Sequence, residues 1–311
     1  MLISSYTINK CAKNVGFDLC GVIKSAEVME YDDFFMEWIR SFKNAGLDWA
    51  DRNHDLRRNP ASLHPSTKSI VVLGLAYHKK HYSHEVSMLA NGIDYHYVVK
   101  QKLQMLKGEL EKECGVVLDA KTCVDSAPIT EKYWAVRAGL GWIGNNSLVV
   151  NKDYGSFFVL GELLIDCEVD SYSVKDEFNG CVGCNRCEKK CPTSALEGKV
   201  VDSRRCLAYL TIEQRHEFNE TQLGYIRSGV RESYFGCDMC QDVCPWNVKA
   251  LHNLEDSFFV TKEELFRVVE FRFDADSYEG ISNSEFKRRY GSTALFRTGK
   301  KKILMNIKAI N

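Results

Sequence analysis

Long apolar runs are missing from this sequence of 311 residues, and proline is scarce, with only five residues. The first residues, MLISSYTINKCAKN, hold no apolar segment long enough for a signal peptide or a membrane span. No stretch is of low complexity, and the net charge of −1 excludes a polycation. Hydrophobic residues at 45% and charged residues at 27% are ordinary for a globular protein with a substantial core.

Helices and strands alternate in the first half of the sequence, which predicts an α/β (α+β) domain with a mixed sheet over residues 1–172. Apolar spacing predicts helices over 4–15, 30–45, 98–114 and 130–138. Strands are predicted over 17–23, 69–77, 116–124, 147–150 and 156–165, the last two forming a hairpin through the turn at 153–155. A cysteine-rich module over 173–252, with a helix at 203–220, and a mainly helical region over 253–311 complete the prediction.

Eight of the thirteen cysteines fall in and around two clustered runs. The first run is Cys181-x2-Cys184-x2-Cys187-x3-Cys191-Pro192. This spacing is typical of a bacterial ferredoxin, in which three cysteines hold one [4Fe–4S] cluster and the fourth, before proline, holds the other. Thiolate is the ligand that iron in such clusters prefers.

The second run, Cys237-x2-Cys240-x3-Cys244-Pro245, is one ligand short, because Tyr234 stands in its first position. Cys206 can supply the missing thiolate. The predicted ligands of one cluster are Cys181, Cys184, Cys187 and Cys244, and those of the other are Cys191, Cys206, Cys237 and Cys240. The five remaining cysteines are scattered singly and are predicted to be small buried hydrophobes: Cys11, Cys20, Cys114, Cys123 and Cys167.

Zinc is the main alternative for closely spaced cysteines, but zinc sites usually pair two Cys-x2-Cys units without the third and fourth cysteines seen here. The Cys-x3-Cys-x2-Cys run of a radical enzyme is absent, since Ser194 and Asn247 occupy the third places after Cys191 and Cys244. Nothing in the sequence suggests export, so a disulfide framework is disfavoured and we expect a reducing cytoplasm.

Val124-Asp125-Ser126-Ala127-Pro128 follows a predicted strand and precedes a predicted helix. The common role of Asp125 or Ser126 there is to cap the helix through the free backbone N–H groups. The alternative is a carboxylic acid at a strand end that faces a pocket and delivers a proton.

Three glycines lie within six residues in the segment from Gly139 to Ser147, GLGWIGNNS. The segment follows a helix rather than a strand, so it fails as a dinucleotide-binding loop. Local sequence favours a plain turn, and the functional alternative is a surface on which a large flat cofactor lies.

The run Asp94-Tyr95-His96 begins like the Asp-x-His-x-x-Gly motif that supplies a histidine to cobalt, but Val99 occupies the glycine position and the motif fails. His96 is therefore expected to be a surface or hydrogen-bonded histidine. An arginine placed like Arg57, shortly before Asn59-Pro60, is usually a solvated surface charge. The alternative is that Arg57 contacts a phosphate or a propionamide group of a ligand.

The tail from Lys287 to Asn311 contains eight basic residues and no acidic one. Such a block is commonly a solvated face, and on a nearly neutral chain it is also the pattern expected for contact with RNA phosphates. Tyr290 and Phe296 within it either stack on bases or belong to the core. The basic residues are Lys287, Arg288, Arg289, Arg297, Lys300, Lys301, Lys302 and Lys308.

Taken in order, these segments resemble epoxyqueuosine reductase from about Arg57 onwards. The resemblance rests on VDSAP, GLGWIGNNS, CVGCNRCEKKCPTSAL, Cys206 and CDMCQDVCPWN. It implies an enzyme, dependent on cobalamin and two [4Fe–4S] clusters, that reduces the epoxide of epoxyqueuosine at the tRNA wobble position to queuosine. Electrons would pass from a flavodoxin- or ferredoxin-type donor through the clusters to cobalamin. Many members of the family continue into a helical-repeat domain, so we expect some tRNA contacts to be lost or supplied otherwise.

The resemblance also implies roles for individual residues. Asp125 becomes the proton donor, with burial beside the corrin raising its pKa towards neutrality. The tRNA contacts are Arg297, Lys300, Lys301 and Lys302. The cobalamin contacts are Arg57, Tyr95, His96, Asp125, Gly139, Gly141, Trp142, Gly144, Asn145, Asn146 and Ser147. Two alternatives use related cofactors, namely a reductive dehalogenase-like enzyme acting on a small substrate and a plain ferredoxin-like carrier.

Replacing Cys206 with Ala should remove one cluster, because no other spare cysteine has suitable spacing. After anaerobic reconstitution, iron analysis should fall from about eight to about four atoms per chain, as the ligand count requires. Cys114→Ala is the matched control and should keep the full iron content. Stoichiometric zinc, or both clusters intact in Cys206→Ala, would contradict the assignment.

Overall fold

A four-stranded antiparallel sheet organises the first half of the chain in the computed structural model, which describes residues 2–229 and 233–310. The strands are β1 (Leu2–Ile3), β2 (Leu19–Lys24), β3 (Ser69–Ala76), β4 (Ala120–Cys123), β5 (Trp142–Ile143), β6 (Val149–Val150), β7 (Phe158–Ile165), β8 (Glu168–Val169), β9 (Leu196–Glu197) and β10 (Val200–Val201). The sheet has the order β2-β3-β7-β4. Separate short pairs join β5 to β6 and β9 to β10 antiparallel, and β1 to β8 in parallel.

The helices of the N-terminal half are α1 (Ser5–Val15), α2 (Met29–Arg40), α3 (Asp48–Asp51), α4 (His54–Arg58), α5 (Pro60–Leu63), α6 (Tyr95–Cys114) and α7 (Glu131–Arg137). Those that follow are α8 (Arg186–Lys190), α9 (Leu207–Ile212), α10 (Glu220–Gly229), α11 (Met239–Asp242), α12 (Pro245–Asn253), α13 (Asp256–Leu265), α14 (Ala275–Glu279), α15 (Asn283–Tyr290), α16 (Ala294–Thr298) and α17 (Lys300–Ile310). In the described ranges, no helix has the length and apolarity that crossing a bilayer would need.

Helices cover both faces of the sheet, so its central strand β3 is buried at every position. Side chains alternate along β7, because successive residues of a strand point to opposite faces. Leu163 packs in one apolar layer with α1 and α6, whereas Phe158 and Leu164 pack in the other with Trp134 of α7. This double burial explains why β3 reads as a near-continuous apolar run, SIVVLGLA.

The predicted α/β class is confirmed, and the long helices and central strands lie close to their predicted positions. The predicted mixed sheet is wrong, because all neighbouring strands of the four-stranded sheet pair antiparallel. The predicted hairpin between 147–150 and 156–165 is wrong. The strand β6 pairs back with β5, while β7 joins β3 and β4. The Asn151 side chain donates to the Leu140 carbonyl and accepts from the Asp153 N–H, which turns the chain away before β7 begins.

Two predicted helices are shorter than expected. The helix predicted over 30–45 ends at Arg40, and Phe42 and Ala45 then adopt left-handed backbone angles, each with φ of 56°. Within 203–220 only Leu207–Ile212 is helical before α10 begins at Glu220. Apolar spacing predicted these helices, but local turns interrupt them.

Buried polar contacts join the cysteine module and the C-terminal helices to the N-terminal sheet. The predicted domain boundaries at 172 and 252 stay predictions. The side chain of Asn247 on α12 accepts from the Ser156 N–H at 2.6 Å. The Lys262 ammonium on α13 lies 2.7 Å from the Asp18 carboxylate, which also accepts from the Ala76 N–H. Phe266 belongs to the same apolar layer as α1 and α6.

The C-terminal helices enclose their own aromatic core. Tyr290 is buried there and stacks against Tyr278, and the partly buried Phe296 packs against the same group. Of the two roles left open for Tyr290 and Phe296, the structure supports the core. Lys302 is also buried, with 5% of its surface exposed, and its ammonium donates to the Leu210 carbonyl.

Candidate active site and iron–sulfur ligands

Asp125 lies in the loop that leaves β4 and enters α7. Its backbone is left-handed, with φ of 43°, and its N–H donates to Oε1 of Glu131 at 2.6 Å. The residue that precedes α7 is Thr130, not Asp125, and the Ser126 hydroxyl donates to a carbonyl. Capping of α7 by Asp125 or Ser126 is therefore wrong, and the carboxylate is free to make other contacts.

A chain of side chains connects Asp125 to the start of α6. Nε2 of His96 lies 2.8 Å from Oδ2 of Asp125, and Nδ1 lies 2.6 Å from Oδ1 of the buried Asp94. The same Asp94 oxygen caps α6 by accepting from the His96 N–H at 3.0 Å. The Arg297 guanidinium, on α16, also contacts the His96 ring. The expectation of a hydrogen-bonded His96 therefore holds, and the histidine faces the proton-donor candidate.

These contacts favour the protonated form of His96 and the ionised form of Asp125. Desolvation lowers the pKa of His96, but hydrogen bonds to Asp125 and Asp94 outweigh it and raise that pKa to about 9. Desolvation raises the pKa of Asp125, but the His96 hydrogen bond and charge, with Tyr95 and Arg297, bring it below its ordinary value. The expected rise in the Asp125 pKa is therefore wrong for the protein without a bound cofactor. Its cationic and hydrogen-bonding neighbours lower the pKa by more than burial raises it.

Glu131 is a site residue that the sequence reasoning missed. Burial, followed by the charge of Asp125, raises its pKa to about 8. Its position in the first turn of α7, six residues after Asp125, was the available signal, since acidic residues there often contact the preceding loop.

A cavity of about 590 Å³ opens beside Asp125 and Glu131, and a smaller one of about 140 Å³ shares both residues and extends to Tyr95. Arg57, Trp49 and Arg297 line the larger cavity. The Arg57 guanidinium lies 5.4 Å from the Trp49 ring centroid. A groove of about 890 Å³ between the β2 entrance and α13 contains none of the predicted site residues.

The glycine segment contacts the cysteines and, through the Ser147 carbonyl, Lys132 of the cavity lining. Its Trp142 indole N–H lies 3.4 Å from Sγ of Cys181, and Asn145 donates to the Cys184 carbonyl at 2.5 Å. A Cβ on Gly139 would lie 2.7 Å from the Val174 carbonyl oxygen, and one on Gly141 would overlap the Val150 carbonyl. Close backbone packing therefore requires these two glycines, and their contact with a cofactor stays a prediction.

The remaining members of that segment have similar local roles. A Cβ on Gly144 would lie 2.7 Å from Oδ1 of Asn146, and that same oxygen accepts from the Leu148 N–H. The Ser147 carbonyl accepts from Lys132 of α7 at 2.9 Å. The segment thus ties α7 to the cysteine module.

The structure brings the predicted cluster ligands close to one another, and their division between two clusters stays a prediction. One small cavity is lined by Cys181, Cys184, Cys187 and Cys244, and Cys240 also reaches it. Electrostatic interactions link Cys237 with Cys206 and Cys191, and Cys240 with Cys237 and Cys206. Eight thiol ligands in two adjacent groups suit two [4Fe–4S] clusters. Across residues 2–229 and 233–310, no set of three ligand side chains is placed to hold a single metal ion.

All thirteen cysteines are described and none of them forms a disulfide. The five that are not predicted cluster ligands pack in or against the apolar layers of the sheet: Cys11, Cys20, Cys114, Cys123 and Cys167. Their surroundings agree with the prediction that they are small hydrophobes.

Two family models match the chain. Residues 180–247 match the 4Fe-4S double cluster binding domain, and residues 57–126 match "Epoxyqueuosine reductase QueG, DUF1730". An epoxyqueuosine reductase of Cyclobacterium marinum is 34% identical over 300 residues, covering 94% of this chain and 91% of the relative. One from Leadbetterella byssophila is 36% identical over 260 residues, covering 82% and 83%.

Solved structures agree over nearly the whole chain. An epoxyqueuosine reductase crystallised with an epoxyqueuosine-modified tRNA-Tyr stem loop is 25% identical with a TM-score of 0.81, and covers 98% of this chain and 80% of that one. The Bacillus subtilis enzyme, with an aspartate-bearing catalytic loop swung out of its active site, is 25% identical with a TM-score of 0.80 and the same coverage.

The sheet, the carboxylate cavity and the double-cluster domain define an oxidoreductase with two iron–sulfur clusters. The similarity over most of both chains then identifies the family. The chain belongs to the epoxyqueuosine reductase family.

Protonated His96 should stabilise the fold in a pH-dependent way. Its pKa is raised from 6.5 to about 9, so its contribution is complete below pH 6.5 and is lost as the pH rises through about 9. Asp94→Asn keeps an oxygen for the α6 cap but removes a charge, and should lower the His96 pKa and flatten this dependence. NMR titration of the ring and denaturant unfolding at several pH values measure both effects.

Asp119→Asn is the control, because Asp119 pairs with His64 and not with His96. It should leave the His96 titration unchanged. A parent protein whose His96 titrates near 6.5 would show that the Asp94–His96–Asp125 chain does not form in solution.

Proposed function

We propose that Asp125 protonates the epoxide oxygen when the modified base of the substrate tRNA lies in the 590 Å³ cavity. The chain is an oxidoreductase that reduces the epoxide of epoxyqueuosine in tRNA to give queuosine, as its family membership indicates. The observation that carries the assignment of Asp125 is its carboxylate, which lines that cavity and is hydrogen-bonded to a protonated His96.

Reduction of an epoxide to an alkene consumes two electrons and two protons and releases one water. Opening the ring places negative charge on oxygen, and a positioned acid lowers the barrier by protonating it. The protonated His96 donates to Asp125 across a 2.8 Å hydrogen bond, and Asp94 behind His96 holds its ring in place. As charge develops on the substrate oxygen, His96 would pass its proton to the Asp125 carboxylate, and the Asp125 carboxyl would deliver it to that oxygen.

The position of Asp125 on a short loop supports a movable acid. The left-handed backbone at Asp125 is held by the N–H bond to Glu131, and half of the side chain is exposed. The swung-out catalytic loop of the Bacillus subtilis relative supports this proposal. Opening of the loop would admit tRNA, and closing would return the carboxyl to His96.

Cobalamin is the cofactor proposed from the resemblance, and the cavity suits it. Aromatic walls at Phe35 and Trp49, a guanidinium at Arg57 and polar groups at Tyr95 and Asp125 can contact a corrin and its amide side chains. When bound, cobalamin supplies a reduced cobalt centre that delivers electrons to the epoxide. The residues of the glycine segment stay predicted contacts, although here they support the cysteine module.

Two groups of cysteines hold the clusters, which carry single electrons when bound. The proposed donor is a low-potential flavodoxin- or ferredoxin-type protein. Its docking beside the first group is supported by Val182, which lies between two ligands of that group and is 82% exposed. The family membership disfavours both the dehalogenase-like and the plain ferredoxin alternatives.

The C-terminal basic block is a weaker RNA surface than its sequence suggests. Arg288 and Arg289 pair with Glu285, Lys308 pairs with Glu279, and Lys300 donates to the Ile281 carbonyl. Lys302 is corrected from a tRNA contact to a buried structural residue. Arg297 at the cavity, the half-buried Lys300 and the exposed Lys301 remain the proposed contacts of the block.

Asp125→Asn should abolish most turnover while preserving the fold and cofactor content, because the amide keeps the size of the carboxyl but cannot donate a proton as an acid. The expected loss in kcat is about 10²–10⁴-fold, the usual contribution of general acid catalysis. Enzyme with cobalamin, clusters and a strong reductant is incubated with epoxyqueuosine-bearing tRNA, and nucleosides are analysed. Asp153→Asn, an exposed turn residue outside the cavity lining, is the control.

Lys301 is exposed and its neighbour Lys302 is buried, so the same substitution at the two positions separates RNA binding from stability. Lys301→Glu should weaken tRNA binding and reduce its salt dependence without changing thermal stability, since fewer counterions are released. Lys302→Glu should lower the free energy of unfolding by about 3 kcal/mol, because it buries an unpaired charge. Filter binding across a salt series and thermal melts measure these effects. Parent-like binding by Lys301→Glu would move the RNA surface elsewhere.

A further inference from the structure

Trp142 is a buried tryptophan whose indole N–H points at a predicted cluster ligand. It begins β5, only 6% of its surface is exposed, and its Nε1–H donates to Sγ of Cys181 at 3.4 Å. A buried indole N–H usually finds a good acceptor, whereas a neutral thiol accepts hydrogen bonds only weakly. The contact therefore suits a sulfur that carries negative charge, as a cluster-bound thiolate does.

Close packing on the backbone fixes the direction of this indole. A side chain on Gly141 would overlap a carbonyl of β6, so the pairing of β5 with β6 holds Trp142 in place. A Cβ on Gly180, the residue before Cys181, would lie 2.7 Å from the Trp142 ring and 2.5 Å from the ring of Trp246. Both rings thus pack against the backbone that presents the Cys181 sulfur.

Neighbouring aromatic rings keep Trp142 away from solvent. The rings of Phe178 and Trp246 lie edge-on to it, each with a centroid distance of 5.1 Å. The ammonium groups of Lys152 and Lys249 lie over these two outer rings, at 4.4 Å and 5.3 Å from the centroids. A hydrogen bond is electrostatically stronger in such a low-dielectric setting than in water, so the indole N–H acts on the sulfur with little screening.

Sulfurs of other predicted ligands receive hydrogen bonds from the backbone close to them in sequence. The Cys191 sulfur accepts from the Ala195 N–H at 3.3 Å, and the Cys244 sulfur accepts from the backbone of Trp246 and Asn247. Donors of that kind accompany the cysteine runs themselves. Trp142 differs, because its donor is a side chain that the glycine segment brings from 39 residues away.

We propose that Trp142 raises the reduction potential of the cluster held by the first group of cysteines, and so favours the entry of electrons there. The inference rests on the predicted role of Cys181 as a ligand and on the proposed passage of electrons through the clusters. One-electron reduction adds negative charge to iron and sulfur, so the N–H bonds the reduced cluster more strongly than the oxidised one. The electron comes from the low-potential donor protein, and no covalent bond changes.

Trp142→Phe tests this role, because phenylalanine keeps an aromatic ring but has no N–H. In the full chain with both clusters reconstituted, EPR at a series of set potentials gives the two midpoint potentials. One of them should fall by about 59 mV, which is a tenfold change in a one-electron equilibrium and the size expected for a lost hydrogen bond to a charged group. The other should match the parent.

Trp246→Phe is the matched control. Its ring belongs to the same aromatic group, but its indole N–H donates to the Gly180 carbonyl at 3.2 Å and not to a sulfur. Both of its midpoint potentials should match those of the parent. An equal fall in the two variants would assign the effect to ring packing and overturn the proposal.

The sign of the shift separates the hydrogen bond from a change in solvent access. Water admitted to the cluster would stabilise its more negative reduced form and raise the potential, whereas loss of the N–H lowers it. Parent-like potentials in Trp142→Phe, or a rise, would therefore overturn the proposal.

Pulsed EPR supplies a readout that does not need Trp142→Phe to hold its clusters. Protein labelled with ¹⁵N at the indole nitrogens and then reduced should show a nitrogen coupling to a cluster, and the labelled Trp246→Phe variant should keep it, which assigns it to Trp142. Absence of this coupling in the labelled parent would overturn the proposal.

None of these measurements depends on turnover, so the two levels of the argument fail separately. If the parent reduces epoxyqueuosine and Trp142→Phe has parent-like potentials, the role of Trp142 is refuted and that of Asp125 stands. If the potential shifts as expected but the parent does not reduce epoxyqueuosine, the proposed function is refuted and the role of Trp142 stands.

Discussion

The hydrogen bond between His96 and Asp125 is the interaction on which the rest of the site depends. It joins the start of α6 to the loop between β4 and α7, and α6 and α7 pack on opposite faces of the sheet. It also fixes the charges, since each partner stabilises the charged form of the other. Asp94 strengthens the effect from behind His96, because a buried carboxylate is stable only with such partners.

A second constraint is the route by which the cysteine module meets this site. The glycine segment is packed so closely that side chains at Gly139 and Gly141 would strike neighbouring carbonyls. This packing presents Trp142 and Asn145 to the first group of cysteines. Lys132 of α7 holds the far end of the segment through the Ser147 carbonyl. The helix α7, which follows the catalytic loop, therefore also supports the cysteine module. A displacement of α7 would move both the loop that carries Asp125 and the segment that contacts the cysteines.

Sequence predicted the features that depend on spacing and period. The two cysteine groups followed from ligand counting, and the buried strand β3 from its apolar run. The pairing of β6 was not predictable, because it depends on how Asn151 turns the chain. The burial of Lys302 was not predictable either. A lysine beside two other lysines in a helix is expected to be exposed, and only the structure shows that its ammonium contacts Leu210 of α9. The fold class was thus accessible from local patterns, whereas charge and burial at single residues required tertiary contacts.

The same limit explains why Glu131 and Glu162 escaped notice while Asp125 did not. Asp125 stands in a recognisable segment, but an acid in the first turn of a helix or within a strand is ordinary in a sequence. Depth separates the three groups: Asp125 is half exposed and paired, Glu131 is partly buried, and Glu162 is enclosed without a partner. Desolvation favours the neutral acid more strongly at each step inward. Burial therefore raises the pKa of both inner acids, whereas the paired and half-exposed Asp125 keeps a lowered pKa.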